Sequence, residues 1–425
     1  MYLKNSLLLL LTYAAMVMSV QAQRGKVISA WKYLNDYSSS KDTVLLVKAK
    51  EAIDMAITNP ETKEEAKTWF YRGEIYQAAF DKRLQLENEK VKDETDPGKK
   101  SAIAYRNAGR AELDLASQSY VKAKELDTKN NFGKDILQKL GECSRHYENI
   151  GISLYGAKQL TDALPAFEKA LEINTLLGET DTTNINNSAL VSVKIKNYEK
   201  ARIYYQKLID LKYGKGSTYA VFSNVLLSLN DTLGASEIVG KGRLVYPDDI
   251  NLLITQTNFF LRDKKTDEAI KNLNLAIQKD PNDVNLYLVL GNLYDNMANP
   301  KDSKGKDGGK PKNYEELFKL AGENYKKSIE LKPDYFDALY NLGILYNNHG
   351  VTISKNANAE KITDAAKYAA ENKEADEEFQ KALPYLEKAL DVNPKDKNTM
   401  IALKQLYSRT KQMEKLNKIN EMLKN

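Results

Sequence analysis

Small and apolar residues recur at helical spacing in the stretch from Arg145 to Leu177. Its first half places them at Tyr147, Ile150, Gly151 and Leu154, and its second half at Ala163, Phe167 and Ala170. Residues three and four apart share one face of a helix, so each half predicts an amphipathic helix. Because Gly151 and Ala163 carry almost no side chain, the two helices can approach closely while Phe167 fills the space beside them. The stretch therefore predicts a helix-turn-helix pair.

The same pattern returns along the chain with a fixed period. Units begin at residues 216, 250 and 284, each 34 residues after the last, and prolines stop two of their second helices at Pro247 and Pro281. This spacing resembles the tetratricopeptide repeat, a helix-turn-helix unit of 34 residues. The resemblance covers roughly Ala66 to the C-terminus and implies an all-α fold, a right-handed α-solenoid of stacked pairs. Single units depart from the family pattern where proline is usual, at Thr128, Thr175 and Tyr213.

The pattern divides the chain into five parts. They are a signal peptide at 1–22, an N-terminal helical cap at 23–62, divergent units at 63–177, in-phase units at 178–396 and C-terminal capping helices at 397–425. Three insertions are expected, near 85–115, 297–314 and 350–380. All three fall at the turn between the two helices of a pair, so the added segments are expected to project from one rim of the stack.

Pro384 constrains the third insertion. Proline removes a backbone hydrogen bond and kinks a straight helix. We therefore expect a separate inserted helix near Ile362–Asn372 and a new helix that starts close to Phe379.

The first 22 residues read as a secretory signal. Lys4 gives a positive start, Leu7 to Val20 is an apolar run, and small residues precede a cut expected after Ala22. The run is shorter than the roughly 20 residues that span a bilayer, so we expect no integral membrane span in the mature chain. This predicts a periplasmic or secreted bacterial protein.

The composition excludes some functions. Lys and Arg number 63 against 58 Asp and Glu, a net charge of +5 that gives no reason to expect nucleic-acid binding. His146 and His349 belong to units far apart and are expected to be surface or turn residues, and Cys143 is expected to be a buried, inert thiol. The Gly/Lys stretch from Gly305 lacks the spacing of a phosphate-binding loop. We therefore predict no catalytic residues, cofactor or metal, and no enzyme.

The inner positions of the first helices are the candidate site, because in this family they line the concave groove. Position 9 is Asn224, Asn258 and Asn292 in three successive units, the neighbouring inner position 5 includes Ile254, Leu288 and Tyr340, and Asn347 lies on the same side. An amide offers a donor and an acceptor to a peptide backbone, while the apolar row can take side chains. Compositional chance is the alternative, since asparagine is abundant in this chain. A second, discontinuous file at position 6 consists of Asn149, Asn187 and Asn341.

Two functions remain open. The first is a non-catalytic scaffold of the bacterial cell envelope that binds a peptide or protein partner in the groove. The alternative is a glycan-binding accessory protein similar to the starch-utilisation lipoproteins of the outer membrane, which are built on such repeats. Against the alternative, the chain has no lipid-accepting Cys at the predicted cut and only Trp31 and Trp69 to stack on sugars. The basic loop between Lys301 and Lys312 indicates either contact with an acidic partner or a solvated linker.

Overall fold

The computed structural model describes residues 25–301, 308–359 and 365–424. Within these ranges the chain forms 19 α-helices, stacked in pairs, and no β-strand. The predicted all-α class and the helix pairs are thus confirmed. The predicted signal peptide at 1–22 lies outside the described residues. None of the described helices has the length and apolar character that a membrane span requires.

The helices group into two compact units whose boundary falls between Ala235 and Ser236. The first unit contains α1 (25–40), α2 (Thr43–Ala56), α3 (Ala66–Lys90), α4 (Pro97–Ala108), α5 (Ala111–Leu126), α6 (Gly133–Gly156), α7 (Leu160–Leu176), α8 (Thr182–Lys194), α9 (Tyr198–Asp210) and α10 (Gly216–Ser228). Helix α11 (Thr232–Val245) crosses the boundary. The second unit contains α12 (Ile250–Arg262), α13 (Thr266–Lys279), α14 (Val284–Ala298), α15 (Tyr314–Leu331), α16 (Phe336–Ala359), α17 (Ala365–Val392), α18 (Lys397–Arg409) and α19 (Met413–Met422).

The 34-residue phase appears in the backbone as well as in the sequence. Helices α10, α12 and α14 begin at residues 216, 250 and 284. The turn that closes a first helix contains a residue with positive φ at Lys196, Asn230 and Lys264, again 34 residues apart. The next N–H in each turn bonds a carbonyl five residues back, at 2.8 to 2.9 Å, which satisfies an otherwise unpaired carbonyl at the helix end.

In several pairs the two helices meet at a glycine on the first helix and a large side chain on the second. A Cβ built on Gly151 would lie 2.6 Å from the Phe167 ring, and one on Gly73 would lie 2.4 Å from the Tyr120 ring. Aromatic rings thus lie directly on the backbone of the first helix, an approach that only glycine permits. The predicted role of Gly151 and Phe167 is confirmed.

The first insertion contains helix α4. Asp96 caps its N-terminus by accepting hydrogen bonds from the N–H groups of Gly98 and Lys99, and Pro97 occupies the first turn. Helix α4 packs against both α3 and α6, the first helices of two consecutive pairs. It therefore covers its neighbours rather than projecting from a rim, because burying Ala104 and Ala108 stabilises the packed position.

The third insertion lengthens both helices of one pair. The expected break before Phe379 is wrong, since α17 runs without interruption from Ala365 to Val392 with Pro384 inside it. Side chains on both sides of the proline, Phe379, Leu383 and Leu386, are buried. Their burial offsets the roughly 3 kcal/mol that an interior proline costs a helix.

Candidate partner-binding face

The first helices of the second unit carry exposed asparagines in successive pairs, at positions that the repeat is expected to place on the inner face. Asn258 on α12, Asn285 and Asn296 on α14, and Asn348 on α16 are exposed. The predicted apolar residue Ile254 on α12 is half-buried and packs against the cluster around Leu253. This face thus offers amide donors and acceptors beside partly buried apolar side chains, the chemistry that an extended peptide needs.

Asn292 is the best-fixed amide of this face. Its Oδ1 accepts a hydrogen bond from the Tyr325 hydroxyl at 2.8 Å and another from Asn341 Nδ2 at 2.8 Å. These bonds connect α14 to both α15 and α16. They also join the two asparagine files, since Asn292 belongs to position 9 and Asn341 to position 6 of the next unit. With its oxygen occupied on both sides, Asn292 is left to act toward a ligand through its Nδ2 donor.

Asn285 repeats this arrangement about two turns earlier on α14. Its Oδ1 accepts a 2.7 Å hydrogen bond from the hydroxyl of Tyr335, which lies in the turn before α16. Tyrosines of a following element thus orient amides of the first helix at two places. No sequence pattern relates these residues, and only the register of three consecutive helices brings them together.

The remaining predicted residues of the second unit lie deeper. Leu288 is 8% exposed and packs with Ala338 and Leu342 in the core between α14 and α16. Tyr340 is half-buried, with its ring stacked on Phe336 at a centroid distance of 6.0 Å. Asn347 is 9% exposed. Leu288 and Asn347 therefore serve the packing of the pairs more than an open surface.

Asn224 lies on α10 in the first unit, where its side chain is exposed. Asn258 and Asn292 lie in the second unit. A single row through all three asparagines stays a prediction.

The histidines are not surface residues as expected. His349 on α16 is 7% exposed, its Nδ1 lies 3.1 Å from Glu378 Oε2 on α17, and its ring centroid lies 3.9 Å from that of Phe318. Burial alone would raise the pKa of the Glu378 carboxyl, but the adjacent His349 and Lys381 hold it below its ordinary value. Aromatic neighbours and a carboxylate on the adjacent helix make His349 a structural residue, and a lone histidine in the sequence carries no sign of them.

His146 in the first unit is half-buried against α4. Its Nδ1 lies 3.1 Å from the Tyr105 hydroxyl, and its ring meets Phe80 edge to face. Burial lowers the pKa of His146, which favours the neutral ring. The thiol of Cys143 is fully buried, and burial raises its pKa to about 12, as expected for an inert cysteine. No cluster of three or more potential metal ligands occurs in the part of the chain that the structure describes.

Comparison with known proteins agrees with this architecture. Residues 318–350 match a family model described as TPR repeat, and residues 184–214 match one described as tetratricopeptide repeat. The chain therefore contains tetratricopeptide repeats in these two segments. Proteins with such repeats are typically non-catalytic scaffolds that bind protein partners.

Individual relatives are distant. The chain is 23% identical over 222 residues to anaphase-promoting complex subunit 3 of Schizosaccharomyces pombe, which corresponds to 52% of this chain and 27% of that protein. It thus spans only about a quarter of that relative. Among solved structures, YrrB, a TPR protein with an unusual peptide-binding site, is 20% identical, with 53% of this chain and 97% of YrrB covered and a TM-score of 0.34. A TPR repeats protein from Bacteroides fragilis NCTC 9343 is 19% identical, with coverages of 63% and 98% and a TM-score of 0.27.

Proposed function

We propose that this protein is a non-catalytic scaffold of the bacterial cell envelope that binds an extended segment of a protein partner along the first helices of its second unit. The observation that carries the proposal is the set of exposed inner asparagines Asn258, Asn285, Asn296 and Asn348. Amides at successive pairs can hydrogen-bond successive peptide groups, as in other modes of extended-peptide capture. Periplasmic or secreted localisation is part of the proposal and rests on the apolar N-terminal run with its small residues before Gln23.

Site-specific crosslinking tests the binding face. A photoreactive amino acid at Asn258 on α12 should crosslink a partner in intact cells, and mass spectrometry of the product identifies the crosslinked peptide. The matched control places the same amino acid at Lys271, which is exposed on the second helix of the same pair. Crosslinks from 271 but not from 258 would overturn the proposed face.

Cell fractionation and N-terminal sequencing test the location. The mature chain should be recovered outside the cytoplasm and should begin at Gln23. Recovery of the chain with Met1 in the cytoplasm would contradict the envelope assignment.

The glycan-binding alternative has a separate test. Adding oligosaccharides should shift the fluorescence of Trp31 or Trp69 if either ring stacks on a sugar. Trp31 is 44% exposed and stacks on Tyr71, whereas Trp69 donates its Nε1–H to the carbonyl of Lys63 at 2.7 Å. No shift is expected if the partner is a protein.

A further inference from the structure

The second and third insertions meet at a cavity on the second unit. Its volume is about 240 Å³. The residues that follow α14 supply one wall, and the extension of α16 supplies the other. The lining consists of Asn299, Pro300, Lys301 and Lys310 on the first wall and Asn348, Val351, Thr352 and Lys355 on the second. We call this the rim cavity.

The described lining of the rim cavity carries three lysines and no carboxylate. Lys301 and Lys355 are exposed and form no ion pair with any described residue. Lys310 is held in place, because its Nζ donates to Asn299 Oδ1 and lies 4.5 Å from the centroid of the Tyr314 ring. Asn348 and Thr352 add an amide and a hydroxyl that can complete the hydrogen bonds of a bound anion.

Among the described residues, the carboxylate of Asp295 lies behind this wall. Asp295 Oδ1 accepts a 2.7 Å hydrogen bond from Asn299 Nδ2. Burial raises the pKa of Asp295, and its contacts with Asn299 and Lys310 oppose the rise. Asp295 therefore fixes Asn299, whose Oδ1 in turn receives Lys310. The carboxylate orders the wall and does not line the cavity.

We propose that the rim cavity binds the carboxylates of an acidic segment in the protein partner. This proposal rests on the proposed function. It requires the partner to carry negative charge next to the segment that the inner asparagines bind. The cavity is smaller than the roughly 300–1,000 Å³ of small-molecule sites, which fits side-chain carboxylates better than a metabolite. Asn348 belongs both to the cavity and to the exposed inner asparagines, so one extended chain can reach both.

Peptide binding to the full mature chain tests the proposal. A fluorescent octa-glutamate peptide should bind, and its octa-glutamine counterpart should not. Replacing Lys301, Lys310 and Lys355 together by Gln should weaken octa-glutamate binding about tenfold, and rising salt should abolish the difference. The matched control replaces Lys271, Lys395 and Lys404, all exposed in the same unit, with the same loss of charge. That control should change binding less than twofold.

Several outcomes would overturn the proposal. Equal losses in both triple variants would mean general attraction by net charge. An acidic protein segment would be ruled out as the ligand if octa-glutamate did not bind to the unaltered chain. It would also be ruled out if anionic lipid vesicles bound in its place in a lysine-dependent way. Circular dichroism and thermal unfolding should show the same folded state in all three proteins. If octa-glutamate fails to bind while the crosslink from position 258 persists, only the rim cavity is rejected. If position 258 gives no crosslink in a chain that is otherwise unaltered, the proposed function itself is rejected.

Discussion

The ring of Tyr325 lies on the backbone of Gly291, so that a Cβ built on the glycine would stand 2.7 Å from Cδ1 of the ring. The same tyrosine donates its hydroxyl hydrogen bond to Asn292, the next residue on α14. One side chain thus packs α15 against α14 and orients an amide of α14. Packing and the candidate binding face are therefore linked through a single residue.

Replacing Gly291 by Ala should destabilise the protein. The new methyl group would overlap the Tyr325 ring, and overpacking of this kind typically costs about 1–3 kcal/mol. Urea unfolding followed by circular dichroism measures the loss. Gly240→Ala on α11 is the matched control, because no atom lies within 4 Å of its added Cβ. It should leave stability unchanged or raise it by up to about 1 kcal/mol. Equal effects of the two substitutions would contradict the close approach.

Tyr325→Phe should separate packing from amide orientation. The ring stays and Asn292 loses one of its two donors, so we expect a loss of about 0.5–1.5 kcal/mol in the free energy of unfolding. Partner crosslinking from position 258 should fall further than that loss explains if Asn292 contacts the same ligand. Tyr205→Phe is the control, since Tyr205 is buried and its hydroxyl makes no hydrogen bond within the described ranges. A Tyr325→Phe protein as stable as Tyr205→Phe would show that the hydrogen bond contributes nothing.

Pro384→Ala should stabilise the protein. Alanine restores the N–H that proline lacks and removes the ring from the path of the helix, so a gain of about 1–3 kcal/mol is expected. Thermal unfolding measures it. A lower melting temperature would mean that the helix needs the bend at Pro384 in order to pack Phe379 and Leu386 against α16.

Asp81 should make stability depend on pH. Although the Asp81 side chain is 52% exposed, partial desolvation of its carboxyl raises the pKa from 3.8 to about 6, with Lys139 opposing the rise and Glu142 adding to it. Between these values the folded chain holds a proton that the unfolded chain releases, so the stability contributed at this position falls as pH rises from about 4 to 6. The decline in melting temperature over that window should be smaller in Asp81→Asn than in the unaltered protein. Asp36→Asn, at an exposed carboxylate on α1, should keep the original slope. An unchanged slope in Asp81→Asn would refute the assignment.

The starts of the regular helices could be predicted from the sequence because the repeat imposes one period on all of them. The units that begin at residues 216, 250 and 284 define that period without any knowledge of the insertions. Local rules failed where tertiary packing decides. Pro384 indicates a break by propensity, yet the buried residues around it keep α17 continuous.

The candidate site was less predictable. Position along the repeat identified Asn258 and Asn292, but it could not show that Asn292 Oδ1 is occupied or that Leu288 is covered by α16. Those facts depend on the distance between neighbouring pairs, which a period does not specify. The Tyr335 contact with Asn285 spans 50 residues and has no pattern in the sequence.

Helix α4 determines how much of the first unit a ligand can use. Its Tyr105 accepts a hydrogen bond from Asn149 Nδ2 at 3.3 Å and meets His146, so this inserted helix already covers the part of α6 that carries these two residues. Asn149 belongs to the position-6 asparagines, and the next of them along the chain is Asn187 on α8. A peptide bound along these first helices would therefore have to end at α8 or displace α4. The inserted helix α4 already takes the place that such a peptide would need on α6.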